Sequence, residues 1–332
     1  MKKRTVIAFI FILTALVAAV YVNIMTGSVR IGAADVLAAF TGENTDKAQT
    51  NIILAIRLPR VLAAMILGGG LALSGYMLQT FFSNPIVGPF VLGISSGAKL
   101  AVAIALIFIV SGGGRATSLL LVGAAFIGAL AVMGFVLAIS MKVRSMGILV
   151  VCGIMTGYIC SAATDLMVTF ADDSDIVNLH NWSMGSLSGM NMHDIGVMTF
   201  ITALCLAGAV LMSKPMASYR LGEAYAGSAG VNITLLRVSL ILLSSLLAAT
   251  VTAFAGPISF VGIAVPHLFA GMCGTGKPKL MIPGCFLLGA LVTLACDGVA
   301  RTLFAPAEVS ISSVTAVFLV PVVLIVMLRR RI

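Results

Sequence analysis

The sequence predicts an all-α, polytopic membrane protein of about ten transmembrane helices. Of its 332 residues, 60% are hydrophobic and only 9% are charged, and the mean hydropathy is +1.16. Soluble domains are roughly 45–50% apolar, so no water-soluble fold could cover this much apolar surface. The apolar residues form runs of about 20, the length that crosses a bilayer as a helix, whereas barrel strands would be about 10 residues long with alternating polarity.

The ten predicted helices follow one another along the whole chain, residues 1–332, as one transmembrane domain. The first run follows Met1–Arg4; it is long enough for a complete crossing and has no small-residue cleavage site, so we expect a retained helix and not a signal peptide. The runs lie near residues 5–25, 61–82, 94–111, 117–140, 147–170, 195–212, 236–255, 258–273, 281–300 and 310–328.

Glycine and proline recur inside these runs, which indicates a tightly packed helical bundle. Gly68–Gly70 and Gly75 lie in the second run, and Pro266, Pro283 and Pro321 lie in the last three. Membrane helices tolerate both residue types, because neighbouring helices satisfy the freed backbone groups and small residues let two backbones approach.

The basic residues predict the orientation of the chain in the membrane. With a cytoplasmic N-terminus, most lysines and arginines fall in cytoplasmic loops, as the positive-inside rule requires, and the C-terminus is also cytoplasmic. The inside set is Lys2, Lys3, Arg4, Lys99, Lys142, Arg144, Lys214, Arg220, Arg237, Lys277, Lys279, Arg329, Arg330 and Arg331, and the outside set is Arg30, Lys47, Arg57, Arg60, Arg115 and Arg301. Most acidic residues, including Glu43 and Glu308, fall outside.

A cluster of carboxylates in an outer loop raises the possibility of a membrane-bound enzyme. Asp172, Asp173 and Asp175 could hold Mg²⁺ for polyphosphate chemistry. Such a site usually has a second acidic cluster and basic residues for the phosphates on the same face, and the sequence supplies neither. Aspartates that cap helices in a solvated loop are therefore the favoured interpretation.

Ionisable residues within apolar runs raise a second alternative, a proton-coupled carrier. Asp165 has no basic residue within one helical turn, whereas Asp297 lies four residues before Arg301 and fits an i, i+4 ion pair. Both residues are left open between a structural and a path-lining role. His267 lies in an apolar run and is expected to hydrogen-bond to a neighbouring segment and not to bind a metal.

The sulfur-containing residues are expected to pack. The cysteines have no CxxC spacing, so we expect apolar packing and not disulfides or metal ligands. The 18 methionines are scattered, which also favours packing. The cysteines are Cys152, Cys160, Cys205, Cys273, Cys285 and Cys296.

The longest cytoplasmic loop, residues 213–237 between the sixth and seventh helices, is predicted to contain a short helix over Leu221–Ala229. Glycines at 222, 227 and 230 allow turns and close contacts. The chain has no GxxxxGK[ST] phosphate-binding loop, so this helix could be presented to a soluble partner, or the loop could be only a connector.

Four segments stand out by their order and composition. The first holds Arg57, Arg60, Gln79, Asn84, Pro85, Gly88, Pro89, Gly93 and Gly97; the second is WSMGSL from Trp182; the third is LGEAYAGSAGV from Leu221; the fourth holds Gly256, Pro257, Pro266, His267, Asp297 and Arg301. Together they resemble the permease subunits of type II ATP-binding-cassette importers for iron-siderophores, haem and vitamin B12. The resemblance spans most of the chain.

This resemblance implies a bundle like that of the vitamin B12 importer permease, paired with a second permease subunit as a homodimer or related heterodimer. It also implies two cytoplasmic ATPases, which bind ATP and Mg²⁺, and an extracytoplasmic substrate-binding protein that delivers a metal chelate, with an iron-siderophore expected first. The chain itself is expected to be a transport subunit without catalysis, cofactor, metal or nucleic acid.

The resemblance also assigns roles to individual residues. Arg57, Arg60 and Arg301 are expected to dock the binding protein. The residues expected to couple to the ATPase are Leu221, Gly222, Glu223, Ala226, Ser228 and Gly230. The other motif residues are expected to be structural. Departures from the family pattern at Ala270, Ser310, Ser312 and Leu319 leave cargo and pairing open.

Overall fold

The computed structural model describes residues 2–27, 31–42, 46–110, 117–143, 145–305 and 307–329, and within these ranges the regular structure is helical throughout. The charged residues Arg30, Glu43, Arg115, Arg144, Arg330 and Arg331, which entered the predicted topology, lie outside the described residues. The α-helices are α1 (Lys2–Met25), α2 (Ala33–Thr41), α3 (Lys47–Asn51), α4 (Leu58–Phe82), α5 (Ile94–Ile104), α6 (Ser118–Lys142), α7 (Met146–Val168), α8 (Asp173–Ser183), α9 (Met192–Leu211), α10 (Ser213–Tyr219), α11 (Glu223–Ser228), α12 (Ile233–Ala255), α13 (Val261–Cys273), α14 (Pro278–Thr302) and α15 (Ile311–Arg329).

The predicted all-α membrane fold is confirmed. Among the described residues, seven helices are long and apolar enough to cross a membrane, and three shorter apolar helices accompany them, which together match the ten predicted runs. The seven are Lys3–Met25, Lys47–Phe82, Ser118–Lys142, Met146–Val168, Met192–Leu211, Ile233–Ala255 and Pro278–Thr302, and the three are Ile94–Phe108, Val261–Cys273 and Ile311–Ile325.

The second crossing begins earlier than its predicted start near residue 61. Helix α3 continues through a π-helical turn, Ile52–Arg57, into α4, so that Lys47–Phe82 forms one helix of 36 residues. The apolar run is interrupted by Arg57 and Arg60, whose charges suggested a helix end. Both arginines are buried. Each is bonded to a group that is distant in the sequence, so the helix continues across both positions.

Helix α4 is the centre of the bundle, with α9, α12, α13 and α14 packed around it. Its glycines permit this packing, because a methyl group built on Gly75 would overlap the Gly262 carbonyl of α13. Two turns earlier on α4, a methyl group on Gly68 would overlap Thr293 and the Gly289 carbonyl of α14. Close backbone approach through small residues is typical of membrane helices and confirms the tight packing predicted from the sequence.

Long-range contacts define the two ends of the bundle. At one end, which we call the inner end, Arg4 of α1 donates hydrogen bonds to the Gly271 and Met272 carbonyls of α13, 2.7 and 2.8 Å away. Arg220 donates to the Gly276 carbonyl at the same end. We call the opposite end, where α1 and α14 finish, the outer end. The structure thus gathers at the inner end three segments that the charge pattern predicted to share one side.

Three aspartates stand at the starts of helices and differ in what they do. Asp46 accepts hydrogen bonds from the Ala48 and Gln49 amides, and Asp194 shares a capping box with Asn191. Asp172 occupies the N-cap position of α8, but its side chain makes no capping bond. The capping interpretation is therefore wrong for the Asp172 side chain, whereas Asp46 and Asp194 do cap α3 and α9.

Candidate functional site

A buried group of charged side chains lies at the outer end, where α1, α4 and α14 meet the segment before α15. Its positions come from helix geometry: Asp297 and Arg301 lie one turn apart on α14, and Arg57 and Arg60 lie where the π-helical turn joins α4. We call these residues the outer cluster: Asn23, Arg57, Arg60, Asp297, Arg301 and Glu308.

Arg60 is the hub of the outer cluster. Its Nε lies 3.1 Å from both carboxylate oxygens of Asp297, and its Nη2 lies 2.9 Å from Oδ1. Its Nη1 donates to both oxygens of Glu308, at 2.9 and 3.0 Å. Each carboxylate thus takes one side of the planar guanidinium group, an arrangement that Arg provides and Lys cannot.

Arg301 and Arg57 tie the outer cluster to α1. The predicted i, i+4 pair is confirmed, with Arg301 Nε 3.3 Å from Asp297 Oδ2. Arg301 also donates to the backbone and side-chain oxygens of Asn23. Arg57 donates to the carbonyls of Ile24 and Met25, at 2.6 and 3.1 Å, where α1 ends. These bonds satisfy carbonyl groups in the last turn of α1, which have no partner within the helix.

The outer cluster carries three guanidinium groups against two carboxylates, an excess of one positive charge. Each of the three arginines is buried in the single subunit, and each has partners within it. All three still line one cleft of about 240 Å³, which we call the arginine cleft. Docking by Arg57, Arg60 and Arg301 stays a prediction, and the geometry shows that a partner would meet them in a cleft and not on a protruding surface. The other residues that line it are Gly27, Ile52, Ile56 and Glu308.

The motif residues at the inner end join α4 to α13. His267 Nε2 lies 2.8 Å from the Pro85 carbonyl, which confirms the expected hydrogen bond to a neighbouring segment. Gln79 donates to the Gly262 and Ile263 carbonyls, at 3.3 and 3.2 Å. Asn84 accepts a 3.0 Å bond from the amide two residues later and so forms an Asx-turn.

These residues border a second cleft of about 240 Å³, which we call the inner cleft. It also contains Tyr76, Arg220 and Gly276, which sequence reasoning did not select, because no motif links these three positions. Ala270, one of the departures from the family pattern, lines the same cleft. The lining is Tyr76, Gln79, Thr80, Ser83, Asn84, Pro85, Arg220, Pro266, His267, Ala270, Gly276 and Met281.

The remaining motif glycines lie at close backbone contacts. Gly93 faces Gly157 of α7, Gly97 faces Gly128 of α6, and Gly88 faces the Ile263 side chain. Pro89 starts a short 3₁₀ turn, Pro89–Leu92, that leads into α5.

The turn after α12 requires glycine at Gly256, where φ is +71°. A methyl group there would also overlap the Trp182 carbonyl. The Ser186 amide donates a 2.8 Å bond to the Ala255 carbonyl, which joins the two motif turns. Ser312, a departure from the family pattern, donates to the Pro257 carbonyl. Its hydroxyl therefore fixes the start of α15 against the turn at the end of α12.

The segment predicted to couple to an ATPase forms two short helices, α10 and α11, at the inner end. The predicted helix over Leu221–Ala229 is confirmed in type but spans only Glu223–Ser228, because Gly222, with φ +127°, breaks the chain direction before it. Ala226 is buried, whereas Leu221 and Tyr225 are exposed apolar side chains. The end of α11 is closed by a Ser228 hydroxyl bond to the Tyr225 carbonyl and by Gly230 at φ +81°.

Polar contacts fix this segment to the bundle. Glu223 and Arg237 of α12 form a 2.7 Å ion pair. The Tyr219 hydroxyl donates to the Phe81 carbonyl at the end of α4, 3.3 Å away. Burial raises the pKa of Tyr219, and the Glu223 carboxylate raises it further, so the hydroxyl keeps the proton that it donates.

The alternative sites do not assemble. Asp175 is buried while Asp172 and Asp173 are exposed, and the described residues contain no group of three or more His, Cys, Asp or Glu that could hold a metal ion. Asp165 lies exposed on the surface of α7 in the single subunit. All six cysteines are free; Cys152 is half-buried, the others are buried, and Leu319 is buried as well.

The chain is similar to known permeases along nearly its full length. The sequence profile described as the FecCD transport family matches residues 15–329. The chain is 33% identical over 333 residues to the hemin transport system permease protein HmuU of Yersinia pestis, which covers 99% of this chain and 97% of that protein. It is 33% identical over 280 residues to the vitamin B12 import system permease protein BtuC of Klebsiella pneumoniae, which covers 84% and 83%.

Two solved structures are also similar to this chain. A structure described as an inward-facing conformation of a metal-chelate type ABC transporter matches with a TM-score of 0.85 and 28% identity, over 97% of this chain and 99% of that one. PsaBC from Streptococcus pneumoniae, in complex with Fab, matches with a TM-score of 0.56 at 16% identity, and this likeness concerns the fold alone.

Proposed function

Since this chain belongs to the FecCD transport family, we propose that it carries an iron-siderophore, or a related metal chelate such as haem or cobalamin, across the bacterial cytoplasmic membrane. The chain is an ABC importer permease and a multi-pass membrane protein. In the proposal both termini are cytoplasmic, the inner end faces the cytoplasm, and a second permease subunit completes the path. ATP and Mg²⁺ are bound by two partner ATPases, and this chain binds no cofactor.

The observation that carries the proposal is the segment formed by α10 and α11. It presents the exposed apolar side chains Leu221 and Tyr225, while its base is fixed by the Glu223–Arg237 ion pair and by Tyr219. Exposed apolar groups on a rigid base are typical of a docking surface for a protein partner.

Coupling in this proposal is mechanical. An ATPase that binds α11 and moves on nucleotide binding displaces α10 and α12. The Glu223–Arg237 ion pair joins this segment to α12, and the Tyr219 bond joins it to α4. A rigid-body displacement of packed helices then opens or closes the path between the two subunits. At the outer end, Arg57, Arg60 and Arg301 receive carboxylates of the substrate-binding protein, and such charge pairs set register and encounter rate more than affinity.

Uptake by the reconstituted complex tests the proposal. The permease is purified with its partner ATPases and reconstituted in proteoliposomes with its substrate-binding protein. Ferric siderophores, haem and cobalamin are then tested in turn as cargo. The proposal expects uptake of one of these chelates that requires ATP and the binding protein. Uptake driven by a pH gradient without ATP would instead establish the proton-coupled carrier.

A further inference from the structure

The two carboxylates that hold Arg60 differ sharply in their access to solvent. The Asp297 side chain is 1% exposed, whereas the Glu308 side chain is 43% exposed, and Arg60 itself is 9% exposed. Asp297 is also paired with Arg301 on its own helix. Asp297 is therefore a permanent partner of Arg60, while Glu308 closes the side of the guanidinium group that faces the surface.

Glu308 can leave Arg60 at a far lower cost than Asp297 can. Withdrawing Asp297 would strand a buried carboxylate, which is strongly destabilising. Glu308 would return to water, where a carboxylate is well solvated, and Arg60 would keep the buried Asp297 as its counter-charge. The chain just after Glu308 is fixed, because the Val309 amide donates a 3.0 Å bond to the Ala300 carbonyl. Departure of Glu308 thus requires a side-chain rotation and no unfolding.

Glu308 also stands at the junction of two clefts. It lines the arginine cleft together with all three arginines, and it lines a neighbouring cleft of about 200 Å³ between Arg60 and the Gly185–Leu187 turn. A carboxylate that entered the arginine cleft would be repelled by Glu308, which already occupies one side of the Arg60 guanidinium group. It would form a bidentate pair with that guanidinium group only after Glu308 had moved away.

We propose that Glu308 is an internal, displaceable ligand of Arg60, which a carboxylate of the substrate-binding protein replaces on docking. The proposal rests on the docking role of Arg60 in the proposed function. Asp297 keeps the guanidinium group oriented during the exchange, so the incoming carboxylate finds a preorganised partner. Glu308 thereby makes docking selective, because a partner without a carboxylate at this position gains nothing that offsets the lost internal pair.

A charge-neutral variant with a matched control tests the exchange. Glu308→Gln keeps the shape of the side chain and removes the competing charge, while Asp173→Asn removes one charge from the exposed outer-end helix α8 and touches no arginine of the outer cluster. Each variant is purified as the complex with its ATPases and placed in nanodiscs. The fluorescently labelled substrate-binding protein is then titrated at several salt concentrations.

We expect Glu308→Gln to tighten docking about tenfold, and Asp173→Asn to change it less than about twofold. The salt dependence gives a second readout. Docking on the wild type exchanges one ion pair for another, whereas docking on Glu308→Gln forms a new pair, so its affinity falls more steeply with salt. If the Glu308→Gln complex does not fold, Glu308→Asp, which keeps the charge but shortens its reach, is expected to tighten docking.

Three results would overturn the proposal. Equal effects of Glu308→Gln and Asp173→Asn would show that Glu308 acts only through its long-range field. Weaker docking by Glu308→Gln would show that Glu308 itself receives the partner. If the wild-type complex binds no binding protein at all, the docking role in the proposed function falls together with the exchange, a result distinct from the other two.

Discussion

Replacing Asp297 with Asn removes the negative charge that the guanidinium groups of Arg60 and Arg301 share at the outer end. The amide keeps the shape of the side chain and one acceptor oxygen, but two buried cations then face only the half-exposed Glu308. Breaking a buried ion pair by neutralising one partner costs about 3–5 kcal/mol. The side-chain exposures of 1% for Asp297 and 9% for Arg60 place the pair in this class and not among surface pairs.

Thermal unfolding in a fixed detergent measures this loss. A cost of this size lowers the midpoint by about 4–7 °C in a protein of this length. Asp173→Asn serves as the control, because it makes the same chemical change on the exposed first turn of α8. Adding Arg301→Gln to Asp297→Asn removes one of the stranded cations, so the double variant is expected to be more stable than the sum of the two single losses. Equal midpoints for Asp297→Asn and the control would refute the view that this charge holds the outer end together.

Three further predictions concern the packing and the inner end. Gly75→Ala forces a methyl group into the backbone of α13 and is expected to cost about 3 kcal/mol of stability, while Gly196→Ala, which meets open space on α9, leaves the unfolding midpoint unchanged. Tyr219→Phe removes the hydrogen bond to the end of α4; we expect cargo transported per ATP hydrolysed to fall about twofold to tenfold at little cost in stability, and an unchanged ratio in proteoliposomes would contradict this role. Glu223→Arg places like charges together beside Arg237 and is expected to leave ATP hydrolysis without uptake, so unchanged uptake per ATP would remove Glu223 from the coupling step.

The sequence predicted the ten helices well because the bilayer imposes the length of each apolar run. It predicted the start of the second crossing poorly, because Arg57 and Arg60 interrupt the apolar pattern and their partners lie far away in the sequence. Asp297 lies 237 residues from Arg60 in the chain, and Glu308 lies 248 residues away. Only the i, i+4 pair of Asp297 and Arg301 follows from spacing on one helix, and the structure confirms it.

A signal for the outer cluster was nevertheless present in the charge pattern. The basic residues that violated the inside bias and the acidic residues Asp297 and Glu308 were predicted at the same end of their helices. Opposite charges confined to one end of a bundle must pair or remain solvated, since burying an unpaired charge is costly. The charge pattern did not show which of these charges form pairs. The tertiary contacts that decide this come from glycine packing between α4, α13 and α14.

Helix α4 connects the outer cluster, the glycine contacts with α13 and α14, and the Tyr219 hydrogen bond. Its first turn carries Arg60 of the outer cluster, and the glycines in its middle bring α13 and α14 close. At its last turn, the Phe81 carbonyl accepts the Tyr219 hydrogen bond. A helix of 25 residues spans about 37 Å, which is sufficient to reach from one face of the hydrocarbon core to the other. In the proposed coupling, a displacement of α10 reaches α4 through the Tyr219 bond, and the glycine contacts carry it on to α13 and α14. Movement of these packed helices as one rigid body would then connect the inner end to the outer cluster.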